Sequence, residues 1–130
     1  MREFRTLAAW QRSHAFVLRM YELTATFPRD ELYGLTSQVK RSSASVPTNI
    51  SEGCGTDGDL DLARFLQMAM RSACELDYQL LLARDLSFVD QQTYEPLARE
   101  LSEIKRMLNA LIRKVRQDAR SQKLTKRPSD

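Results

Sequence analysis

The stretch LYGLTSQVKRSSASVPTNISEG, Leu32 to Gly53, decides the fold because it carries two helical stripes at once. Leu32, Leu35, Val39, Ser42, Val46 and Ile50 recur every three or four residues, the rhythm of a core-facing helix. Gln38, Arg41, Ser45, Asn49 and Glu52 keep the same rhythm on a neighbouring face. A solvated face is rich in Lys and Glu, whereas this one is largely short, amide-bearing and hydroxyl-bearing. Such groups suit fixed hydrogen bonds in a partly buried place. The stripe admits two roles: a structural network between helices or subunits, or a site for a ligand or nucleic acid. The helix is expected from Asp30, a suitable N-cap, to Glu52. Pro47 removes the bond to the Ser43 carbonyl and predicts a kink. Gly53 and Gly55, flanking Cys54, predict a left-handed helix end.

Working outward, three more helices read from the periodicity. The first spans about 4–26, with Leu7, Trp10, Val17, Tyr21 and Thr24 as its stripe and His14 in step as a packed, hydrogen-bonded side chain. Phe27-Pro28 stops it, since Pro disfavours the α region for the residue before it. The third spans about 59–86. Leu62, Leu66, Ala69, Ala73, Leu76 and Leu80 form one apolar stripe, while Phe65, Met68, Met70, Cys74, Leu81 and Leu82 spread around it. A helix so broadly apolar in a small protein predicts a second burial surface, a subunit interface. The fourth spans about 91–118, capped by Asp90, with Leu97, Leu101, Ile104, Leu108, Leu111 and Val115 as its seam. Pro96 is tolerated near the helix start. Residues 121–130 lose the apolar period and are expected to form a disordered basic tail. The fold class is all-α, a four-helix bundle.

The 130 residues suffice for one domain. No run approaches the ~18 apolar residues of a membrane span, and the N-terminus turns polar too soon for a secretory segment, which predicts a cytoplasmic chain. Cys54 and Cys74 are then not expected to form a disulfide. They are too few for zinc, and His14, the sole histidine, completes no site; Cys74, in an apolar helix, is expected to act as a small hydrophobe.

The net charge of +3 hides a division. Residues 1–103 hold 11 Lys and Arg against 15 Asp and Glu, a net of −4, while residues 104–130 hold 9 against 2, a net of +7. Within the basic quarter, Arg106, Arg113 and Arg120 continue a seven-residue spacing begun by Arg99. That places four guanidinium groups roughly 10 Å apart along about 30 Å of helix. Lys105, Lys114 and Arg116 widen the row, and Lys123, Lys126 and Arg127 extend it. Arg presents a planar fork to phosphate, so such a ridge could follow a nucleic-acid backbone without reading bases. The alternative is a solvated face that keeps an oligomer soluble, helped by the local pairs Glu95–Arg99 and Glu103–Arg106.

Signals for catalysis are nearly absent. Gly53-Cys-Gly55 lacks the Lys-Ser/Thr of a phosphate loop and a preceding strand. No Ser or Cys has a convincing His partner. Asp57, Asp59 and Asp61 fail as a calcium loop, because the required Gly and Glu positions are Leu62 and Met68; helix capping and the helix dipole explain these acids. No catalytic residue, metal or cofactor is expected.

Trp10, Tyr21, Phe27-Pro28, Glu31, Gly34-Leu35, Gln38, Arg41, Ser45, Pro47, Asn49-Ile50 and Glu52-Gly53, taken in order, resemble a bacterial four-helix-bundle family. It is labelled 23S rRNA intervening-sequence protein and includes the accessory proteins of diversity-generating retroelements. The likeness runs from about Phe4 to Val115. It implies an antiparallel up-down-up-down bundle assembling into a ring, a pentamer in known members, with no established catalytic residues. For the retroelement branch it implies nucleic acid and a reverse transcriptase as partners. Two positions depart from the family pattern. Cys54-Gly55-Thr56-Asp57 stands where a basic residue is common, and Arg71-Ser72 where Gly-Ser is common. The expected protein is therefore a homo-oligomer associated with RNA or DNA, or a scaffold for a protein partner.

Overall fold

The computed structural model describes residues 2–125. Among them are four α-helices and no strand: α1 (Ala8–Thr24), α2 (Leu35–Cys54), α3 (Asp59–Asp85) and α4 (Gln91–Thr125), with 3-10 turns at Phe4–Thr6 and Arg29–Glu31. α2 packs against α1 and α3, and α4 against α3 and α1, so the four surround one core. Its fully buried centre includes Met20, Ile50, Leu66, Leu76, Leu80, Leu101, Ile104 and Leu108.

The stripe expected on α3 is buried at all six positions, Leu62, Leu66, Ala69, Ala73, Leu76 and Leu80. On α4, Leu101, Ile104, Leu108 and Val115 are buried, joined by Ile112, while Leu97 and Leu111 pack at its margin. The face of α1 differs from expectation. Ala9, Ser13, Phe16, Met20 and Thr24 are inside, whereas Trp10 and Val17 are half-buried and Tyr21 is exposed. From Ala9 to Met20 the buried row lies one residue before the expected one, while Thr24 is buried as expected. His14 is exposed too, and stacks on Trp10 with ring centroids 4.9 Å apart.

α2 begins later than expected. Asp30 lies in a 3-10 turn, and the helix starts after Gly34, where the Glu31 carboxylate accepts the Leu35 amide at 3.1 Å. This leaves Leu32 outside the helix and half exposed instead of in the core. The helix runs on through Pro47 to Cys54. Gly53 is inside it, and Gly55 at its end keeps a right-handed conformation (φ −79°), so the expected left-handed ending is absent. Gly53 serves close approach instead: a Cβ there would lie 2.8 Å from Phe65 Cβ and 2.9 Å from Leu62 Cδ1. The left-handed residue is Ser87 (φ 64°), which closes α3. Its amide donates to the Arg84 carbonyl at 2.9 Å and that of Phe88 to Ala83 at 2.8 Å, the paired bonds of a Schellman ending.

Asp90 caps α4 as expected, accepting the Thr93 amide at 2.7 Å, a bond that lowers its carboxyl pKa. α4 continues to Thr125, beyond the expected end at 118, so residues 121–125 of the expected disordered tail are helical. Helix propagation needs no apolar period, and no Gly or Pro intervenes before Pro128. Residues 126–130 of that tail lie outside the described residues.

Candidate nucleic-acid interface

The arginine ridge exists on α4 as spaced. Arg99, Arg106, Arg113 and Arg120 are all exposed. Arg99, Arg113 and Arg120 make no hydrogen bond or ion pair with another described residue. Arg106 lies 3.4 Å from Glu103 across one exposed turn, while no ion pair joins Glu95 to Arg99. Lys114 is exposed and unpaired on the side of α4 that faces α1. The remaining two members turn toward α3. Lys105 donates to Asp77 Oδ2 at 2.9 Å, and that bond holds its ammonium pKa above the ordinary value. Arg116 donates to Gln67 Oε1 at 3.3 Å. These two contacts tie α4 to α3; within the basic set Lys105 and Arg106 have carboxylate partners, while Arg99, Arg113, Lys114, Arg116 and Arg120 form no ion pair with a described residue.

The polar stripe of α2 divides. Asn49 is 8% exposed; its amide donates to the Ser45 carbonyl and to the Ser45 hydroxyl, both at 2.9 Å. The Ser45 hydroxyl shares a 2.8 Å hydrogen bond with that of Ser72 on α3. Gln38, Arg41 and Glu52 are exposed with no partner among the described residues. Beside this, the buried Ser42 hydroxyl donates to Gln79 Oε1 at 2.5 Å, and Gln79 donates to Glu75 at 3.4 Å. Ser42 therefore belongs to both stripes: buried like the apolar set, bonded like the polar one.

Sequence reasoning missed a row on the neighbouring α3 surface, of which it had noted Arg71 alone, as a departure from the family pattern. Arg64, Arg71 and Tyr78 are exposed and also seven residues apart. Their spacing was visible, but the apolar breadth of the helix masked it. Cys74 lies on the same outer side and is exposed, since the core arc of α3 is filled by the Leu62-to-Leu80 stripe.

Among the described residues no three His, Cys, Asp or Glu side chains gather as a metal site. No helix there is long and apolar enough to cross a membrane. Burial raises the Cys54 thiol pKa, which leaves it protonated and inert.

The family described as 23S rRNA-intervening sequence protein has a model that matches residues 5–110, and the chain belongs to that family. Arg113, Lys114, Arg116 and Arg120 lie beyond the matched stretch. A crystal structure of a protein with unknown function from the S23 ribosomal protein family, from Bacteroides thetaiotaomicron, superposes with a TM-score of 0.76. The two are 24% identical, and the alignment covers 81% of this chain and 98% of that one, which establishes the four-helix fold. No curated protein matches the chain.

Proposed function

We propose that this member of the 23S rRNA-intervening sequence protein family is a non-enzymatic, cytoplasmic, nucleic-acid-associated assembly. Each subunit is an antiparallel up-down-up-down bundle, the subunits close into a homo-oligomeric ring, and α4 contacts RNA or DNA phosphates. The order of partners supports the topology. Ser42, Ser45 and Gly53 meet Gln79, Ser72 and Leu62, so α3 numbers fall as α2 numbers rise. Lys105 and Arg116 likewise meet Asp77 and Gln67, and the Phe27 and Phe88 rings pack in a tilted pair with centroids 5.7 Å apart where two connections meet. Five subunits is the number the family resemblance implies. The exposed and unpaired Gln38, Arg41 and Glu52 suit contacts between subunits, since the stripe's other two members are satisfied within the chain.

The observation that carries the nucleic-acid role is the row Arg99, Arg106, Arg113 and Arg120, exposed and seven residues apart, in which Arg99, Arg113 and Arg120 form no ion pair with a described residue. Phosphates spaced along a strand meet such a row by counterion release, which makes affinity fall steeply with salt. Anisotropy of labelled RNA and DNA with the purified protein tests this: binding that weakens linearly in log salt supports it, and no binding at low salt removes it. No catalytic step, metal or cofactor is involved.

A scaffold for a protein partner such as a reverse transcriptase, with the charge serving solubility, is the second reading. It is favoured by one feature, the exposed Leu18, Tyr21, Leu32 and Tyr33, of which Tyr33 is 93% exposed.

A further inference from the structure

Two contacts lock α3 and α4 into one register: Lys105 to Asp77 at 2.9 Å and Arg116 to Gln67 at 3.3 Å. α4 therefore advances about eleven residues while α3 retreats ten. Extending the register of these pairs sets Arg64 level with Arg120, Arg71 within about one residue of Arg113, and Tyr78 within about half a turn of Arg106. All six side chains are exposed, and each helix contributes a row spaced by seven. One residue on from Asp77 and one on from Lys105, both helices turn about 100° outward, which brings Tyr78 and Arg106 to the same solvent side. The face is thus a ladder with rungs roughly 10 Å apart. Two rungs are doubly cationic, and the third sets a tyrosine, 62% exposed, against an arginine. Of the acids nearest this face, Asp77 is bonded to Lys105, Asp61 to Arg64 at 3.3 Å and Glu103 to Arg106, while the exposed Glu75, one turn beyond Arg71, accepts from Gln79; Arg71, Arg113 and Arg120 form no ion pair with a described residue.

We infer that the α3–α4 face binds single-stranded nucleic acid, with phosphates on Arg71, Arg113 and Arg120 and an unpaired base stacked on Tyr78. This rests on the phosphate-binding role proposed for α4 and adds the form of nucleic acid it selects. A duplex offers phosphates to the cationic rungs but keeps its bases stacked inside, so Tyr78 gains nothing from it. A single strand satisfies both, because every base has a face that stacks on an aromatic ring whatever its identity. Among the described residues, Tyr78 is the one exposed aromatic in line with the cationic rows.

The test uses the full chain with a labelled oligo-uridine or oligo-thymidine and a duplex of equal length, comparing wild type with Tyr78→Ala and Tyr78→Phe. Wild type should prefer the single strand. Tyr78→Ala should reduce single-strand affinity by roughly 5- to 100-fold, the share of one stacked base, with the salt slope and duplex affinity unchanged. Tyr78→Phe should retain the preference, since it keeps the ring. Tyr78→Ala binding the single strand as wild type does would overturn the stacking role while leaving phosphate binding intact. An equal reduction for strand and duplex, with altered helicity by circular dichroism, would overturn it as a structural effect. Failure of wild type to bind either probe would remove both proposals.

Discussion

Gly53 of α2 and Phe65 of α3 approach so closely that a Cβ on the glycine would sit 2.8 Å from the Cβ of the phenylalanine. Carbon atoms do not meet at that distance, so the spacing of the two helices at this end depends on the missing methyl group. The atom in the way is the first side-chain carbon of Phe65, fixed to its backbone, so no rotamer change relieves the clash.

Gly53→Ala should therefore destabilise the protein by about 1–3 kcal/mol, the cost of overpacking, despite the better helix propensity of alanine. Denaturant unfolding measures it. An unchanged midpoint would mean that α2 and α3 can separate at no cost.

Ser42 and Gln79 form the buried polar link at the middle of the same pair, 2.5 Å apart. Ser42→Ala leaves the Gln79 carbonyl without that donor, and a cost of about 1–3 kcal/mol is expected. In a double-mutant cycle, Ser42→Ala with Gln79→Leu should cost less than the two single changes summed, because both polar groups leave together.

Ser87 holds a left-handed backbone at the end of α3. Side chains disfavour that region by about 1–2 kcal/mol, and glycine does not. Ser87→Gly should stabilise by about 0.5–1 kcal/mol after the added freedom of the unfolded glycine is counted, raising Tm by a few degrees.

Arg12 donates to Glu100 at 3.0 Å, and this bond holds the Glu100 carboxyl below its ordinary pKa. A depressed carboxylate contributes stability above its unfolded pKa and loses it as pH falls through the folded value. Glu100→Gln should thus be less stable than wild type at pH 7, by no more than about 1 kcal/mol for a pair this open to solvent. The difference should close as pH falls below about 4.3, the ordinary glutamate value. Unfolding measured from pH 7 to pH 3 checks both ends.

The number and type of helices were legible because α3 and α4 carry long, regular apolar rows, and every residue of the expected stripe from Leu62 to Leu80 is buried. α1 misled because it bears two candidate faces. Trp10, Val17 and Tyr21 lie toward the surface, while Ala9, Ser13, Phe16 and Met20, an equally regular row, face inside. Local pattern also could not show that the Glu31 side chain closes the start of α2, or that Gly53 answers to Phe65 on the next helix. The ridge was legible as a row of charges. Which members stay free was not, because Lys105 and Arg116 are engaged by α3 residues 28 and 49 positions distant.

The salt dependence of nucleic-acid binding by wild type and by Arg106→Ala with Arg113→Ala tests the central claim most directly. Both side chains are exposed and neither lies in the core, so the variant should keep the mass and Tm of wild type. The variant should bind more weakly, with a log-log salt slope shallower by about one for each phosphate that it no longer neutralises. Equal affinity and equal slope in the two proteins would contradict it and leave the basic quarter as a solubilising surface.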